Sequence, residues 1–198
     1  MSALLAVFAV VTWQVVADGP LLGPDERLGL ELAGRGPARL ADLFADLGNP
    51  QVAVPVLACG VLVAWFRGAR RAALYAVAAM AAVPALVVPL KLWTDRQGPL
   101  TEATGYYPSG HTATAAVAYG AAALLLAPYV RRSWMTLVTA VLLTAATSIG
   151  LVLRGYHWPL DVLASWCLGA VLLLVLRAAP RRTGARRTSG AAGGQLPE

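Results

Sequence analysis

Six apolar stretches, at about 3–17, 50–66, 72–90, 109–128, 134–153 and 159–177, divide the chain, and the charged residues collect between them. A helix that crosses a bilayer needs roughly 20 mainly apolar residues. The pattern therefore predicts six transmembrane helices, the first two short at these limits and extending by several residues. Residues 18–49 read differently, because they carry Gly, Pro and most of the acidic residues. A helix over 36–47 is predicted there, with Leu40, Leu43, Phe44 and Leu47 on one face, lying on the membrane surface. The expected class is all-α: one membrane domain over 1–178 containing a bundle of six transmembrane helices, with an extracytoplasmic surface segment at 18–49 between the first two.

Composition agrees with this reading. The chain is 58% hydrophobic and 13% charged, with a mean hydropathy of +0.64, which places it among membrane proteins. Its net charge of +6 does not point to nucleic acid, since the arginine runs are short, lie between apolar segments and lack interleaved aromatics. They act instead as topology signals. Arg67, Arg70 and Arg71 follow the second stretch, Arg131 and Arg132 the fourth, and Arg177, Arg181, Arg182, Arg186 and Arg187 the sixth. These loops are expected in the cytoplasm, together with both termini, for a multi-pass protein of the cell (inner) membrane. Residues 179–198 form a basic tail too polar to bury a core, expected to be disordered and cytoplasmic.

The aromatic residues bracket the same boundaries: Trp65, Tyr129 and Trp134 at the inner loops, Trp93, Tyr106, Tyr107, Tyr156 and Trp158 at the outer ones. Residues 3–17 have no preceding Lys or Arg and only a weak cleavage site in Ala17-Asp18-Gly19, so an uncleaved first helix is expected rather than a secretory signal. Cys59 and Cys167 stand within apolar stretches with no partner at metal-ligand spacing, and read as fillers. No metal site and no cofactor are expected.

The outer face then receives three polar clusters, which contain the only lysine and both histidines of the chain. The first runs from Lys91 to Pro99 and includes Arg96. The second is Pro108-Ser109-Gly110-His111, at the start of the fourth stretch. There Ser109 can cap a helix, and the free amides of Gly110 and His111 can face an anion. The third runs from Arg154 to Asp161. His157 and Asp161 are four residues apart, a spacing at which the carboxylate can orient the imidazole and prepare it as a nucleophile. Each cluster has a plainer reading: a snorkelling Lys91, a Pro-Ser-Gly turn, and an Asp161 that serves the helix dipole. Ionisable groups near membrane depth are costly, and this favours function over those readings for His157 and Asp161.

In order and spacing these clusters resemble the type-2 phosphatidic acid phosphatase superfamily. Its signature is Lys, six residues, Arg-Pro; then Pro-Ser-Gly-His; then Ser-Arg, five residues, His, three residues, Asp. The second part is complete at Pro108–His111, and the His-to-Asp spacing of the third at His157 and Asp161. Two places depart. Gly98 stands at the arginine of the first part, with Arg96 two residues earlier, and Gly150-Leu151 stands at the Ser-Arg pair, with Arg154 three residues after Leu151.

The resemblance covers about residues 40–177. It implies a membrane lipid phosphatase that works without a metal ion through a phosphohistidine. By that analogy His157 attacks phosphorus, Asp161 orients it and His111 protonates the leaving oxygen. Lys91, Arg96, Arg154, Ser109 and Gly110 would hold the phosphate. The implied partners are the bilayer and a lipid phosphate or pyrophosphate: polyprenyl pyrophosphate, phosphatidic acid and phosphatidylglycerol phosphate are the candidates. Two other readings stay open: an intramembrane serine protease with Ser109 as nucleophile, and a degenerate relative that serves as a lipid-binding scaffold or transporter.

Overall fold

The computed structural model describes residues 1–178, and the predicted basic tail at 179–198 lies outside the described residues. The described residues are helical, with no strand. Eight α-helices follow in order: α1 (Ser2–Val16), α2 (Leu22–Leu32), α3 (Ala38–Asp46), α4 (Pro50–Phe66), α5 (Arg70–Thr94), α6 (Gly110–Leu126), α7 (Ser133–Leu153) and α8 (Pro159–Ala178). Each predicted apolar stretch is one of these helices. By length and composition, α5, α6 with its 3-10 extension to Tyr129, α7 and α8 can cross a membrane. The pair α3 and α4, bent by 45°, makes a fifth if counted together, whereas α1 has 15 residues.

Helix α6 is the centre of the bundle, packed against α4, α5, α7 and α8. Its buried positions run all round the helix and are dominated by Ala, Gly and Thr. Small side chains allow the neighbouring backbones to come close, which matters where association depends on van der Waals packing rather than on expulsion of water. A Cβ added to Gly60 of α4 would lie 3.1 Å from the Cα of Ala122, and one on Gly169 of α8 would lie 2.7 Å from the Cβ of Ala116. Large apolar residues face outward instead, among them Leu62, Leu74, Val88, Leu142 and Val175. This inversion, small residues inside and bulky ones outside, suits a lipid surround.

The segment between α1 and α4 folds as two helices at the end of the bundle that carries the polar clusters. Helix α3 coincides with the predicted 36–47 helix, but its buried residues are Ala41 and Ala45, while Leu40 and Leu43 are exposed. It lies on α7 so closely that a Cβ on Gly150 would sit 2.6 Å from the carbonyl oxygen of Ala41 and closer still to the amide of Ala45. Gly150 is the position where the family signature has Ser, and the next residue, Leu151, where it has Arg, is 1% exposed. The first half of the departure thus has a steric cause, since α3 leaves no room for a side chain at 150, while Leu151 is packed in the interior where the signature has Arg. Gly150→Ser is expected to cost about 1–3 kcal/mol or more, the range for overpacking, and to lower the melting temperature in detergent. An unchanged melting temperature would mean that α3 does not rest on α7 in this way.

Candidate active site

His157 precedes α8 and Asp161 lies in its first turn, so both belong to the same helix start. The Asp161 carboxylate is fully buried and receives three donors. Oδ2 accepts from the Trp158 amide at 3.0 Å and from His157 Nδ1 at 3.2 Å, and Oδ1 accepts from Arg96 Nη1 at 2.6 Å. A carboxylate only accepts, so Nδ1 of His157 carries a proton, and in the neutral ring it is Nε2 that holds the lone pair. The ring is 6% exposed and meets Tyr106 edge-on, with centroids 5.6 Å apart.

Helix α6 starts at the same place. Ser109 is its N-cap and accepts from the Thr112 amide at 3.3 Å. Its amide donates to the Asp161 carbonyl at 3.2 Å, and its own carbonyl accepts from Ser165 Oγ at 2.8 Å. These bonds pin the starts of α6 and α8 together, which brings the second and third clusters into contact. Ser109 is wholly buried. Its Oγ serves as a cap, an arrangement without the serine-to-base hydrogen bond that a serine protease requires.

A cavity of about 980 Å³ opens between α4, α5 and α6. Lys91, Gly105, Tyr106, Gly110, His111 and His157 line one end, and the remaining wall is apolar, with Val54, Leu57, Val61, Val77, Val83 and Val87 among its residues. Lys91 lies in the last turn of α5, donates from its ammonium to the Gly105 carbonyl and lies 6.0 Å from the centroid of Tyr106. His111, in the first turn of α6, bonds through Nε2 to Asn49 Oδ1 at 2.8 Å. One lysine, two imidazoles and the start of a 17-residue helix therefore share one space. They offer an ammonium and backbone amides for an anion, and nitrogen atoms for nucleophilic attack and proton transfer.

The two arginines are placed differently, and neither lines this cavity. Arg96 is 8% exposed and bridges Asp161 to Asp25 of α2, with Nη2 to Oδ2 at 2.6 Å. Asp25 Oδ1 in turn accepts from the Leu160 amide at 2.8 Å, so α2 caps α8. Burial pushes the Asp25 carboxyl up from its ordinary range, while the Arg96 hydrogen bond and charge pull it back part of the way. Arg154 pairs on the surface with Asp42 of α3, Nε to Oδ1 at 2.6 Å. The family's first arginine position is Gly98, where a Cβ would meet the Tyr106 ring at 2.6 Å. Tyr106 thus fills the place of that side chain.

Sequence reasoning gave no site role to Asp25, Asn49 or Tyr106, the last of which it read only as an interfacial aromatic. Asn49 had a local signal, because Asn before Pro50 marks a helix start; Asp25 and Tyr106 had none, since their partners are distant in sequence. Tyr107 is a further tie: its hydroxyl meets Thr12 Oγ1 of α1 at 2.7 Å. Burial pushes its phenol up to about 12, so it remains neutral.

The chain aligns in structure with the crystal structure of a transmembrane PAP2-type phosphatidylglycerolphosphate phosphatase from Bacillus subtilis, with a TM-score of 0.80 and 20% sequence identity, over 89% of this chain and 93% of that one. At that identity the likeness establishes the fold. No curated protein sequence matches. Residues 72–184, more than half of the chain, match the model of the PAP2 superfamily, and this stretch holds the lysine, both histidines and Asp161. With the matched stretch, the shared fold and the joined polar clusters in agreement, the chain belongs to the PAP2 superfamily.

Proposed function

We propose that this protein is an integral membrane phosphatase for a lipid phosphate or polyprenyl pyrophosphate, acting by metal-independent phosphoryl transfer through a phosphohistidine on His157. The observation that carries the proposal is the shape of the cavity between α4, α5 and α6: a polar end with Lys91, His111 and His157, continuous with apolar walls from α4 and α5. An amphiphile fits such a space, with its phosphate at the helix starts and its tail along the apolar wall. Six spans, cytoplasmic termini and a site at the extracytoplasmic face of the cell membrane complete the reading, supported by the arginine distribution along the loops.

In the first step His157 Nε2 forms a bond to phosphorus while the bond from phosphorus to the leaving oxygen breaks. A proton from His111 passes to that oxygen, which departs as an alcohol or a phosphate. Asp161 accepts the Nδ1 hydrogen bond throughout and stabilises the positive charge that grows on the ring. Lys91 and the amides of Gly110 and His111 hold the non-bridging oxygens. In the second step water attacks phosphorus, the N–P bond breaks, and His111 takes up the proton of the water. Arg96 serves this chemistry through Asp161 rather than by touching the phosphate, Arg154 stays at the rim, and Ser109 acts as the cap that aims the α6 amides.

The test is phosphate release by purified protein from phosphatidic acid, phosphatidylglycerol phosphate and a polyprenyl pyrophosphate, each with and without EDTA. Release that resists EDTA is the expected result. Dependence on added magnesium would overturn the mechanism, and release from none of the three lipids would favour a binding or transport role.

A further inference from the structure

The turn between α3 and α4 makes three contacts with α6, two of them at His111 itself and one about two helical turns further along, at Tyr119. Leu47 presents its carbonyl to the Tyr119 hydroxyl. Gly48 lies so near that a Cβ there would be 2.9 Å from the Cβ of His111 and 3.0 Å from its carbonyl oxygen, so no side chain fits. Asn49 then places Oδ1 at 2.8 Å from His111 Nε2.

Asn49 is also the N-cap of α4, where Asn ordinarily turns its side-chain oxygen to a free amide of the first turn. Here its side chain makes no such bond. Nδ2 donates to Asp46 Oδ1 at 2.8 Å instead, and Oδ1 is left to the imidazole. This chain of bonds has one direction. The Asp46 carboxylate only accepts, so the amide NH₂ faces it; Oδ1 only accepts, so His111 Nε2 carries a hydrogen. Nδ1 remains as the nitrogen that can exchange a proton.

We propose that Asn49 is the positioning residue of His111: with Asp46 behind it, it holds the proton on Nε2 and dedicates Nδ1 to the leaving oxygen. This rests on the phosphatase reading above and extends it to a residue that precedes the family match, which begins at residue 72. The two imidazoles are then held in complementary ways. A carboxylate orients His157 so that Nε2 is free to attack, and an amide oxygen orients His111 so that Nδ1 is free to donate. An amide partner carries no charge, so it orients the acid without pairing its positive form to a carboxylate as Asp161 does for His157.

The decisive variant is Asn49→Ser, which can supply the cap bond that Asn49 forgoes but is too short to reach the imidazole. Turnover of short-chain phosphatidic acid and of p-nitrophenyl phosphate is measured in mixed micelles for wild type, Asn49→Ser, His111→Ala and the double variant. The expected result is a melting temperature close to wild type, kcat on the lipid lowered roughly 10- to 100-fold with KM little changed, and a much smaller loss in the first-turnover release of p-nitrophenol from p-nitrophenyl phosphate, a leaving group that needs little protonation. The double variant should be no slower than His111→Ala alone, because both changes remove the same function. Equal losses on both substrates, or additive losses in the double variant, would make Asn49 merely structural and overturn the proposal.

A readout without turnover separates it from the phosphatase reading. In ¹⁵N-histidine-labelled protein, where only two rings report, His111 should show a slowly exchanging Nε2–H that Asn49→Ser abolishes. A His111 ring protonated on Nδ1 alone would overturn the proposal even in an active enzyme. Retained turnover in His157→Ala would sink the phosphohistidine reading and leave the ring assignment standing.

Discussion

Replacing His157 with alanine is expected to lower phosphate release by roughly 10⁴-fold or more, the scale on which the loss of a covalent nucleophile is felt, while the protein still inserts and melts as wild type. The reason is geometric. His157 lines the cavity and has one nitrogen committed to Asp161, which leaves the other to act as the nucleophile. Asp161→Asn should lose roughly 10²- to 10⁴-fold by a different route. All three partners of Asp161 are donors, so the amide NH₂ must oppose either Nδ1 and the Trp158 amide, favouring the wrong tautomer, or Arg96, and in both cases the charge that stabilises the imidazolium is lost. Brief incubation with ³²P-labelled substrate followed by an alkaline quench checks both: wild type should carry acid-labile, base-stable label, and His157→Ala none. Label that persists in His157→Ala would exclude that residue as the nucleophile.

Arg96→Met is expected to be the most destabilising substitution in the chain. Arg96 is the cation shared by two buried carboxylates, Asp25 at 6% exposure and Asp161 at 0%. Breaking a buried pair by removing one partner costs about 3–5 kcal/mol, because the remaining charge is stranded. Here two are stranded, close to each other. The variant should melt far below wild type and lose activity, and Asp25→Asn combined with Arg96→Met should recover part of the stability by removing one of the stranded charges. Arg154→Ala should change the melting temperature little, since its pair with Asp42 is open to solvent on both sides and such pairs contribute little. Similar losses for Arg96→Met and Arg154→Ala would contradict this division between a buried keystone and a surface pair.

The same contrast marks how far the sequence could be read. Both arginines looked alike in one dimension: each lies near a position where the family signature has an arginine, and each stands in a polar loop. Their roles diverge because of α2 and α3, which supply Asp25 to one and Asp42 to the other. Nothing in residues 18–49 announced this, since an acidic residue in a surface helix looks the same whether or not an arginine from 71 positions away will meet it. The Gly150-Leu151 departure was equally opaque from the sequence. Its first half is explained only by the α3 backbone lying on Gly150.

The apolar stretches, the Pro-Ser-Gly-His run and the His157-to-Asp161 spacing are local properties, so the sequence by itself determined the apolar helices, though not α2, together with the membrane character and the pairing of a histidine with its carboxylate. Those depend on neighbours within one or two helical turns. Which cations face the phosphate, what buries Arg96 and what holds His111 depend on contacts made across the bundle, Arg96 to Asp25 and His111 to Asn49 among them. Only the tertiary structure decided these, because a buried charge or a ring nitrogen takes whatever partner the packing of distant helices brings within about 3 Å, and sequence spacing carries no record of that approach.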